Sequence, residues 1–354
     1  MPRRVGAATI AHVSTNAQQN APVTVIGTTT WGTTIALMLA LRHVRVRLLA
    51  RTEEEAARLR EAGEHTQRLP GYPFPPSLSV TGDRAGAFLN AAAVIFAVPS
   101  NSLRENAHGL APYLGGVRLV VSASKGLERD TTKRMSQVLA EELPDAASTG
   151  LCALSGPNLA REIVAGLPSS AVIASANPEA ARQVQELLNS SSFRVYTNSD
   201  VLGVELAGAL KNVVALGAGI SDGLRFGDNA KAAFVARGLA EVSRLGIAAG
   251  ASPATFAGLA GIGDLIATCF SSLSRNRMLG EQIARGRSLQ EAVNSLGGQV
   301  AEGVDTTSAA LRMGRELGVG MPITEAVYRV LFEGLQPRQA VAELMGRELR
   351  AELE

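Results

Sequence analysis

Short runs of apolar and β-branched residues recur through roughly the first two hundred positions, and each ends at glycine, proline or a polar turn. Such runs are typical of strands buried on both faces of a parallel sheet. The proline-rich stretch 70–82 predicts a surface loop without regular structure. The runs predict strands near residues 22–26, 44–50, 91–100, 118–128 and 150–154, and two later strands, open to antiparallel pairing, near 171–175 and 193–198.

The pattern changes near residue 203. Strand-like runs stop, and segments rich in Ala, Leu and Gly with helical spacing continue to the end of the chain. The sequence therefore predicts a disordered tail over residues 1–20, an α/β domain over 21–203 and an all-α domain over 204–354.

The first predicted strand leads into a glycine-bounded turn, Gly27-Thr28-Thr29-Thr30-Trp31-Gly32, then a helix and a second strand. This order is the context of the dinucleotide-binding fingerprint. Thr29 stands where that fingerprint has its second glycine, so its side chain should push the cofactor outward or shift the turn. A generic βαβ unit with a hydroxyl-rich turn is the alternative.

Arg51 ends the second predicted strand. An Asp or Glu at this point would accept a hydrogen bond from a ribose 2′-hydroxyl, whereas an Arg accommodates a 2′-phosphate. Arg51 therefore favours NADP, with NAD left open. A solvated arginine at a strand end is the alternative.

Lys211 lies in the apolar helical segment 204–238, beside Ala209, Leu210 and Val213. No carboxylate lies within four residues of it in the sequence. One interpretation is a lysine that snorkels from the edge of an amphipathic helix. The other is a functional amine in a dry cleft, where burial lowers the pKa and permits proton transfer.

A second polar group of residues begins at Asp264, which follows Gly261-Ile262-Gly263. Thr268 is its i+4 neighbour and shares its helix face. Asp264 could alternatively be an N-cap. Arg275 and Asn276 close the segment; arginine suits phosphate recognition, and a surface pair is the alternative.

Two further candidates follow the ends of predicted strands, where open α/β sheets bind ligands. Lys125 ends the strand at 118–128, and the strand at 150–154 runs into Ser155-Gly156-Pro157-Asn158. Glycine followed by a helix start can bind an anion.

Composition narrows the functional classes. The 354 residues are 46% apolar and 19% charged with a net charge of +2, without the one-sided charge of a nucleic-acid or membrane-surface binder. Cys152 and Cys269 lack metal-ligand spacing, so we expect no metal, no disulfide framework and a cytoplasmic location. No run is expected to approach the ~18 apolar residues of a membrane span.

Over roughly residues 22–335 the chain resembles bacterial-type NAD(P)-dependent glycerol-3-phosphate dehydrogenases. The resemblance rests on motifs that occur in the family's order and at compatible spacing: the turn from Gly27 to Trp31-Gly32-Thr33, Ala97-Val98-Pro99-Ser100, Ser124-Lys125-Gly126-Leu127-Glu128, Ser155-Gly156-Pro157, Val204-Glu205-Leu206-Ala207-Gly208-Ala209-Leu210-Lys211-Asn212, Gly227-Asp228-Asn229-Ala230-Lys231, Gly261-Ile262-Gly263-Asp264-Leu265, Ser274-Arg275-Asn276-Arg277 and Ala301-Glu302-Gly303.

The resemblance implies an α/β N-terminal domain of Rossmann type, an all-α C-terminal domain and an active site between them. It implies hydride transfer between NADP(H) or NAD(H) and dihydroxyacetone phosphate, which gives sn-glycerol 3-phosphate for phospholipid synthesis, with Lys211 as proton donor and acceptor. The implied substrate contacts are Lys125, Gly156, Asn158, Lys211, Asp264, Ser274, Arg275 and Asn276. The implied cofactor contacts are Gly27, Thr30, Trp31, Gly32, Arg51, Lys125, Ala160, Arg275, Val300 and Glu302.

Two positions depart from the family pattern. Thr29 replaces the second glycine of the turn, and Asn158 stands where the family usually has Ser or Thr. Two alternatives therefore stay open: a related two-domain reductase of keto acids, of the hydroxy-acid or ketopantoate type, and a catalytically decayed nucleotide-binding paralogue. The expected partner is a phosphorylated triose, with no nucleic acid and no membrane span; the oligomeric state, including a homodimer, is left open.

Overall fold

The computed structural model describes residues 21–143, 150–297, 300–349 and 351–352. The tail predicted over residues 1–20 lies outside them. The described part of the chain has these strands: β1 (Val23–Ile26), β2 (Val46–Leu49), β3 (Glu64–His65), β4 (Leu69–Pro73), β5 (Leu78–Thr81), β6 (Ala93–Phe96), β7 (Leu119–Ser122), β8 (Leu151–Ser155), β9 (Ser169–Ala174) and β10 (Phe193–Asn198).

Eight of these strands form one sheet in the order β10-β9-β8-β7-β6-β1-β2-β5. Its neighbours are parallel except β8 and β9, which pair antiparallel, so the expectation of antiparallel pairing among the later strands is confirmed. The strand order reverses beside β1, between β2 on one side and β6 on the other. A crevice at such a point, beyond the carboxyl ends of the strands, is where ligands bind in this fold.

The prediction of a loop without regular structure at 70–82 is wrong. β5 extends the main sheet by pairing in parallel with β2, and β4 pairs with β3 in a separate two-stranded ribbon. Leu78 and Val80 are buried on one face of β5, which is the alternation of a half-buried strand. The prolines that concealed this pattern lie in the edge ribbon and in its connection to β5, where a missing backbone N–H costs little.

Helices cover the sheet and, in the described residues after β10, replace strands altogether. They are α1 (Thr30–Ala40), α2 (Glu53–Ala62), α3 (Arg84–Phe88), α4 (Leu103–Leu110), α5 (Met135–Glu142), α6 (Ala160–Val164), α7 (Pro178–Leu188), α8 (Val201–Gly223), α9 (Asp228–Ala248), α10 (Pro253–Phe256), α11 (Asp264–Phe270), α12 (Arg275–Ala284), α13 (Leu289–Asn294), α14 (Gly303–Glu316), α15 (Pro322–Phe332) and α16 (Pro337–Met345). A π-helical turn, Leu259–Gly263, leads directly into α11.

Helix α8 is the centre of the helical part. It packs against α9, α11, α12 and α14, and nearly all of its residues between Gly203 and Ser221 are buried. The predicted domain boundary between residues 203 and 204 falls in its first turn.

The expectation that no run approaches the apolar length of a membrane span is wrong for α8. By length and composition alone, Val201–Gly223 and Pro253–Phe270 are apolar enough to cross a membrane, with hydropathies of 1.5 and 1.3. For Val201–Gly223, 83% of the apolar window is buried inside the protein, which is also the pattern of a core helix.

Candidate active site

A cleft of about 500 Å³ opens beyond the carboxyl ends of β1, β6 and β7, and residues of α8, α11 and α12 line its other side. It therefore lies between the sheet and the helical part, as the resemblance implied. Many of the residues singled out from the sequence line it: Thr30, Trp31, Lys125, Asn158, Ala160, Lys211, Ser274, Arg275, Asn276, Val300 and Glu302.

One carboxylate joins two lysines at the base of the cleft. Lys211 donates from Nζ to Oδ1 of Asp264, and Lys125 donates from Nζ to Oδ2 of the same residue over 2.9 Å. The Nζ of Lys211 also lies 2.7 Å from the hydroxyl oxygen of Thr268, one helical turn beyond Asp264. Asp264 is thus a partner of both lysines, and the alternative of an N-cap is wrong, because Gly263 occupies the N-cap position of α11 and Asp264 is its first helical residue.

Burial sets the protonation behaviour of this network. The side chains of Lys211 and Asp264 are only 9% and 2% exposed. Burial lowers the pKa of Lys211 to about 8; the nearby charge of Lys125 adds to this effect, and Asp264 opposes it. The amine is therefore close to half-protonated just above neutral pH, which suits a group that both gives and takes a proton.

Close packing of α8 against the sheet brings the two lysines together. A Cβ on Gly208 would lie 2.5 Å from Oγ of Ser155, so a larger residue there would require the Ser155 side chain to move; glycine lets the helix approach the end of β8 without that shift. Lys125 completes the junction by donating to the carbonyl of Gly156 over 2.8 Å and reaching Oδ1 of Asn158 at 3.5 Å.

The start of α12 forms the opposite wall of the cleft. Ser274 caps this helix by accepting from the backbone N–H of Arg277. Asn276 donates to Oδ1 of Asn212 over 2.9 Å and accepts from the backbone N–H of Gly303 over 3.0 Å, which fixes α12 against α8 and α14. Arg275 has an exposed side chain at the cleft wall. A helix start with an arginine suits a phosphate group.

The turn after β1 accommodates Thr29 without strain. Gly27 has φ of +101°, a conformation that favours glycine, and a Cβ there would meet Val98 at 2.9 Å. Thr29, by contrast, lies in extended backbone with φ of −63°. Its hydroxyl caps α1 by accepting from the N–H of Gly32 over 3.0 Å and donates to the carbonyl of Ala97 over 2.7 Å.

The cleft also presents buried polar atoms that have no partner in the described residues. They are Nε1 of Trp31, Nδ2 of Asn158 and Oε2 of Glu302. Burial raises the pKa of Glu302, whose other oxygen lies 3.4 Å from the backbone N–H of Ser100. These donors and an acceptor fit a nicotinamide dinucleotide, whose carboxamide and hydroxyl groups both give and accept hydrogen bonds.

Five of the residues singled out from the sequence do not line the cleft. Gly27 and Gly32 shape the turn, Gly156 offers its carbonyl to Lys125, Asp264 lies beneath the lysines, and Arg51 is exposed at the end of β2. No cluster of three or more His, Cys, Asp or Glu able to hold a metal occurs in the described residues.

Several residues that line the cleft were missed as site residues, among them Arg68, Asn212 and Thr268. The helical spacing from Asp264 to Thr268 and the position of Asn212 beside Lys211 were available signals. Arg68 precedes β4, in a ribbon that the proline-rich composition concealed, so nothing local pointed to it.

Family comparisons agree with this architecture. Residues 22–181 match the N-terminal part, and residues 200–342 the C-terminal part, of the NAD-dependent glycerol-3-phosphate dehydrogenase family. The chain belongs to this family. A glycerol-3-phosphate dehydrogenase [NAD(P)+] of Dehalococcoides mccartyi is 49% identical over 332 residues, which cover 94% of this chain and 92% of the relative. The expected activity class, an NAD(P)-dependent oxidoreductase, is confirmed.

Solved structures separate the family from its neighbours. Glycerol-3-phosphate dehydrogenase of Coxiella burnetii superimposes with a TM-score of 0.88 at 35% identity, covering 93% of this chain and 99% of that one. A ketopantoate reductase of Ralstonia eutropha superimposes with a TM-score of 0.57 at 18% identity, over 90% of this chain and 99% of that one. The second likeness concerns the fold alone, and the family match favours the first interpretation over the keto-acid alternative.

Proposed function

We propose that this protein interconverts dihydroxyacetone phosphate and sn-glycerol 3-phosphate with NAD(P)H, and that Lys211 transfers the proton. The observation that carries this assignment is the buried chain of contacts from Thr268 through Lys211 and Asp264 to Lys125, at the base of a cleft between the two parts of the molecule. The family supports the reaction, and the geometry supports the roles of the residues.

Reduction of the C2 ketone places negative charge on its oxygen, which requires a proton and a positive group nearby. When bound, the nicotinamide supplies the hydride. The ammonium of Lys211 gives its proton to the C2 oxygen, and in the reverse direction the neutral amine takes it back. Asp264 and Thr268 hold Nζ in place during both steps, and Lys125 adds positive charge beside the same oxygen.

The remaining cleft residues bind and orient. Arg275, Ser274 and Asn276 lie at the start of α12, where the helix dipole and the guanidinium favour the phosphate group of the triose. Gly156 and Asn158 complete the substrate side together with Lys125. Thr30, Trp31, Arg68, Ala160, Val300 and Glu302 face the cofactor, with Gly27 and Gly32 shaping the turn beneath it.

The product is the glycerol phosphate backbone of phospholipids, so we place the enzyme in lipid synthesis. The same proposal gives it a cytoplasmic location, a small phosphorylated partner and no nucleic-acid partner. The near-neutral net charge of +2 supports this choice, because neither nucleic acid nor an anionic surface would be attracted to such a chain.

The test is oxidation of NADPH and NADH, followed at the nicotinamide absorbance, with and without dihydroxyacetone phosphate. Oxidation that depends on this substrate and not on keto acids is expected. Lys211→Ala should lower kcat by about 10²- to 10⁴-fold, the usual contribution of general acid–base catalysis, while cofactor binding stays nearly intact.

Lys231 provides the matched control, because it is another buried lysine with a carboxylate partner, Asp222, and does not line the cleft. Lys231→Ala should cost stability but keep turnover within a few-fold. Wild-type activity in Lys211→Ala would contradict the assignment of the proton donor. Keto-acid turnover without triose-phosphate turnover would contradict the reaction itself.

A further inference from the structure

Glu55 joins the cofactor turn to the end of the second strand. The hydroxyl of Thr28 donates to its Oε1 over 2.5 Å, and the backbone N–H of Arg51 donates to its Oε2 over 3.2 Å. Glu55 itself lies in the first turn of α2, where Thr52 caps the helix by accepting from its backbone N–H. The carboxylate is therefore held by contacts on two sides.

This location is the place at which a Rossmann-type fold meets the adenosine ribose of its cofactor. The ribose lies between the first residues of the glycine-bounded turn and the end of the second strand, and an acidic residue there accepts from its 2′-hydroxyl. Glu55 comes from α2 and not from the strand, yet its carboxylate reaches the backbone of Arg51, the second residue after β2. A carboxylate offers about four acceptor positions, so two remain for ribose hydroxyls.

The surrounding groups fix the carboxylate of Glu55 more firmly than they fix the guanidinium of Arg51. Thr28 is only 8% exposed, and Nε2 of His65 lies 2.9 Å from its carbonyl oxygen, so the turn that contacts Glu55 is fixed from below. The side chain of Arg51 is exposed, and in the described residues its guanidinium has no ion pair within 4.0 Å. A fixed carboxylate and a free guanidinium therefore act on the same part of the cofactor with opposite preference.

We infer that Glu55 determines cofactor choice, and that it favours NADH by accepting from the ribose 2′-hydroxyl and repelling the 2′-phosphate of NADPH. This inference rests on the proposed function, since it concerns the cofactor of that same cleft. It runs against the preference for NADP that Arg51 alone suggests. The preorganised carboxylate prevails because the arginine must give up side-chain freedom and solvent to meet a phosphate.

The experiment measures dissociation constants for NADH and NADPH by nicotinamide fluorescence, without substrate, so the readout is binding and not turnover. The wild type should bind NADH more tightly. Glu55→Gln should weaken the binding of NADH and tighten the binding of NADPH, which changes the ratio of the two dissociation constants by about tenfold or more. Thr28→Val keeps the carboxylate of Glu55 but removes one of the two hydrogen bonds that position it. This variant should change the ratio of the dissociation constants in the same direction, by a smaller factor.

Glu54→Gln is the matched control, because Glu54 is an exposed neighbour on α2 and the substitution removes the same charge. Its ratio should stay within a factor of two of the wild type. A ratio that Glu55→Gln leaves unchanged, or that Glu54→Gln shifts equally, overturns the role of Glu55 and leaves the proposed function standing. A folded wild type that binds neither cofactor overturns the proposed function and this inference with it.

Discussion

The two ends of the proposed binding site are built differently: one is the base of the cleft, and the other is the group of Thr28, Arg51 and Glu55 outside the cleft lining. At the chemistry end, one buried carboxylate serves two lysines that come from the sheet and from the central helix, 139 and 53 positions away in the chain. At the adenosine end, the contacts of Thr28, Arg51 and Glu55 are partly exposed and come from the N-terminal part alone. A substitution in the first arrangement removes several contacts at once, whereas a substitution in the second removes one or two hydrogen bonds. We therefore expect single substitutions to impair catalysis strongly and to change the cofactor preference gradually.

Removing the shared carboxylate is the strongest way to test this contrast. Asp264→Asn removes the counter-charge that holds Lys211 protonated and in place beside Lys125, so we expect kcat to fall by about 10²-fold or more and stability by about 3 kcal/mol. Steady-state kinetics and denaturant unfolding measure the two effects.

Asp222 gives the matched comparison, since it also accepts from two cations, Lys231 over 2.8 Å and Arg277 over 2.6 Å, but does not line the cleft. Asp222→Asn should lower stability and keep kcat within a few-fold. Equal losses of kcat in both variants would show that general destabilisation, and not the loss of the lysine partner, explains the effect.

The dependence of the reaction rate on pH tests the lysine end of the site directly. With the pKa of Lys211 lowered to about 8, the ammonium that we propose as the proton donor is present below that pH and disappears above it. The rate of ketone reduction should therefore fall about tenfold per pH unit above about 8, and the rate of alcohol oxidation should rise up to the same point and then level off.

Lys125→Met should move this break to higher pH, because the charge of Lys125 contributes to lowering the pKa of Lys211. The variant also frees Asp264 to pair with Lys211 alone, which acts in the same direction. A break that stays at the same pH in Lys125→Met, or a profile without a break near 8, would exclude Lys211 as the titrating group.

The smallest effect is expected at the cofactor turn. Thr29→Ala removes the hydroxyl that caps α1 and contacts Ala97, so stability should fall by about 1 kcal/mol, measured as a shift in the denaturation midpoint. Thr29→Ser keeps a capping hydroxyl and should retain most of that stability. An unchanged midpoint in Thr29→Ala would mean that neither hydrogen bond stabilises the native state.

Local pattern was enough to locate the strands of the main sheet except β5, and the lysine of the central helix. The apolar runs end where the ladder ends or a few residues later: the prediction at 91–100 covers β6, but Ala97-Val98-Pro99 continues past the last paired residue as cleft wall. Lys211 was conspicuous because an amine with apolar neighbours and no local carboxylate needs a distant partner.

The partners themselves depend on tertiary contacts that spacing does not encode. That Asp264 accepts from both lysines follows from the close approach of α8 at Gly208 and from the π-helical turn before α11, neither of which has a simple sequence periodicity. Arg68 reaches the cleft only because the β3–β4 ribbon folds beside the turn. The family resemblance supplied residue roles that physical pattern alone left open.

Asp200 has a consequence for how this protein can be recombined. Its carboxylate caps α8 through the N–H of Gly203 over 2.8 Å and also accepts from the N–H of Ser252 over 2.9 Å and the hydroxyl of Thr255 over 2.6 Å. Hydrogen bonds from three parts of the chain therefore meet at the junction between the sheet and the helices, so this junction is not a free linker. A chimera cut between Asp200 and Val201 would separate the capping residue from its helix, so the helix that carries Lys211 should be exchanged among relatives only together with Asp200.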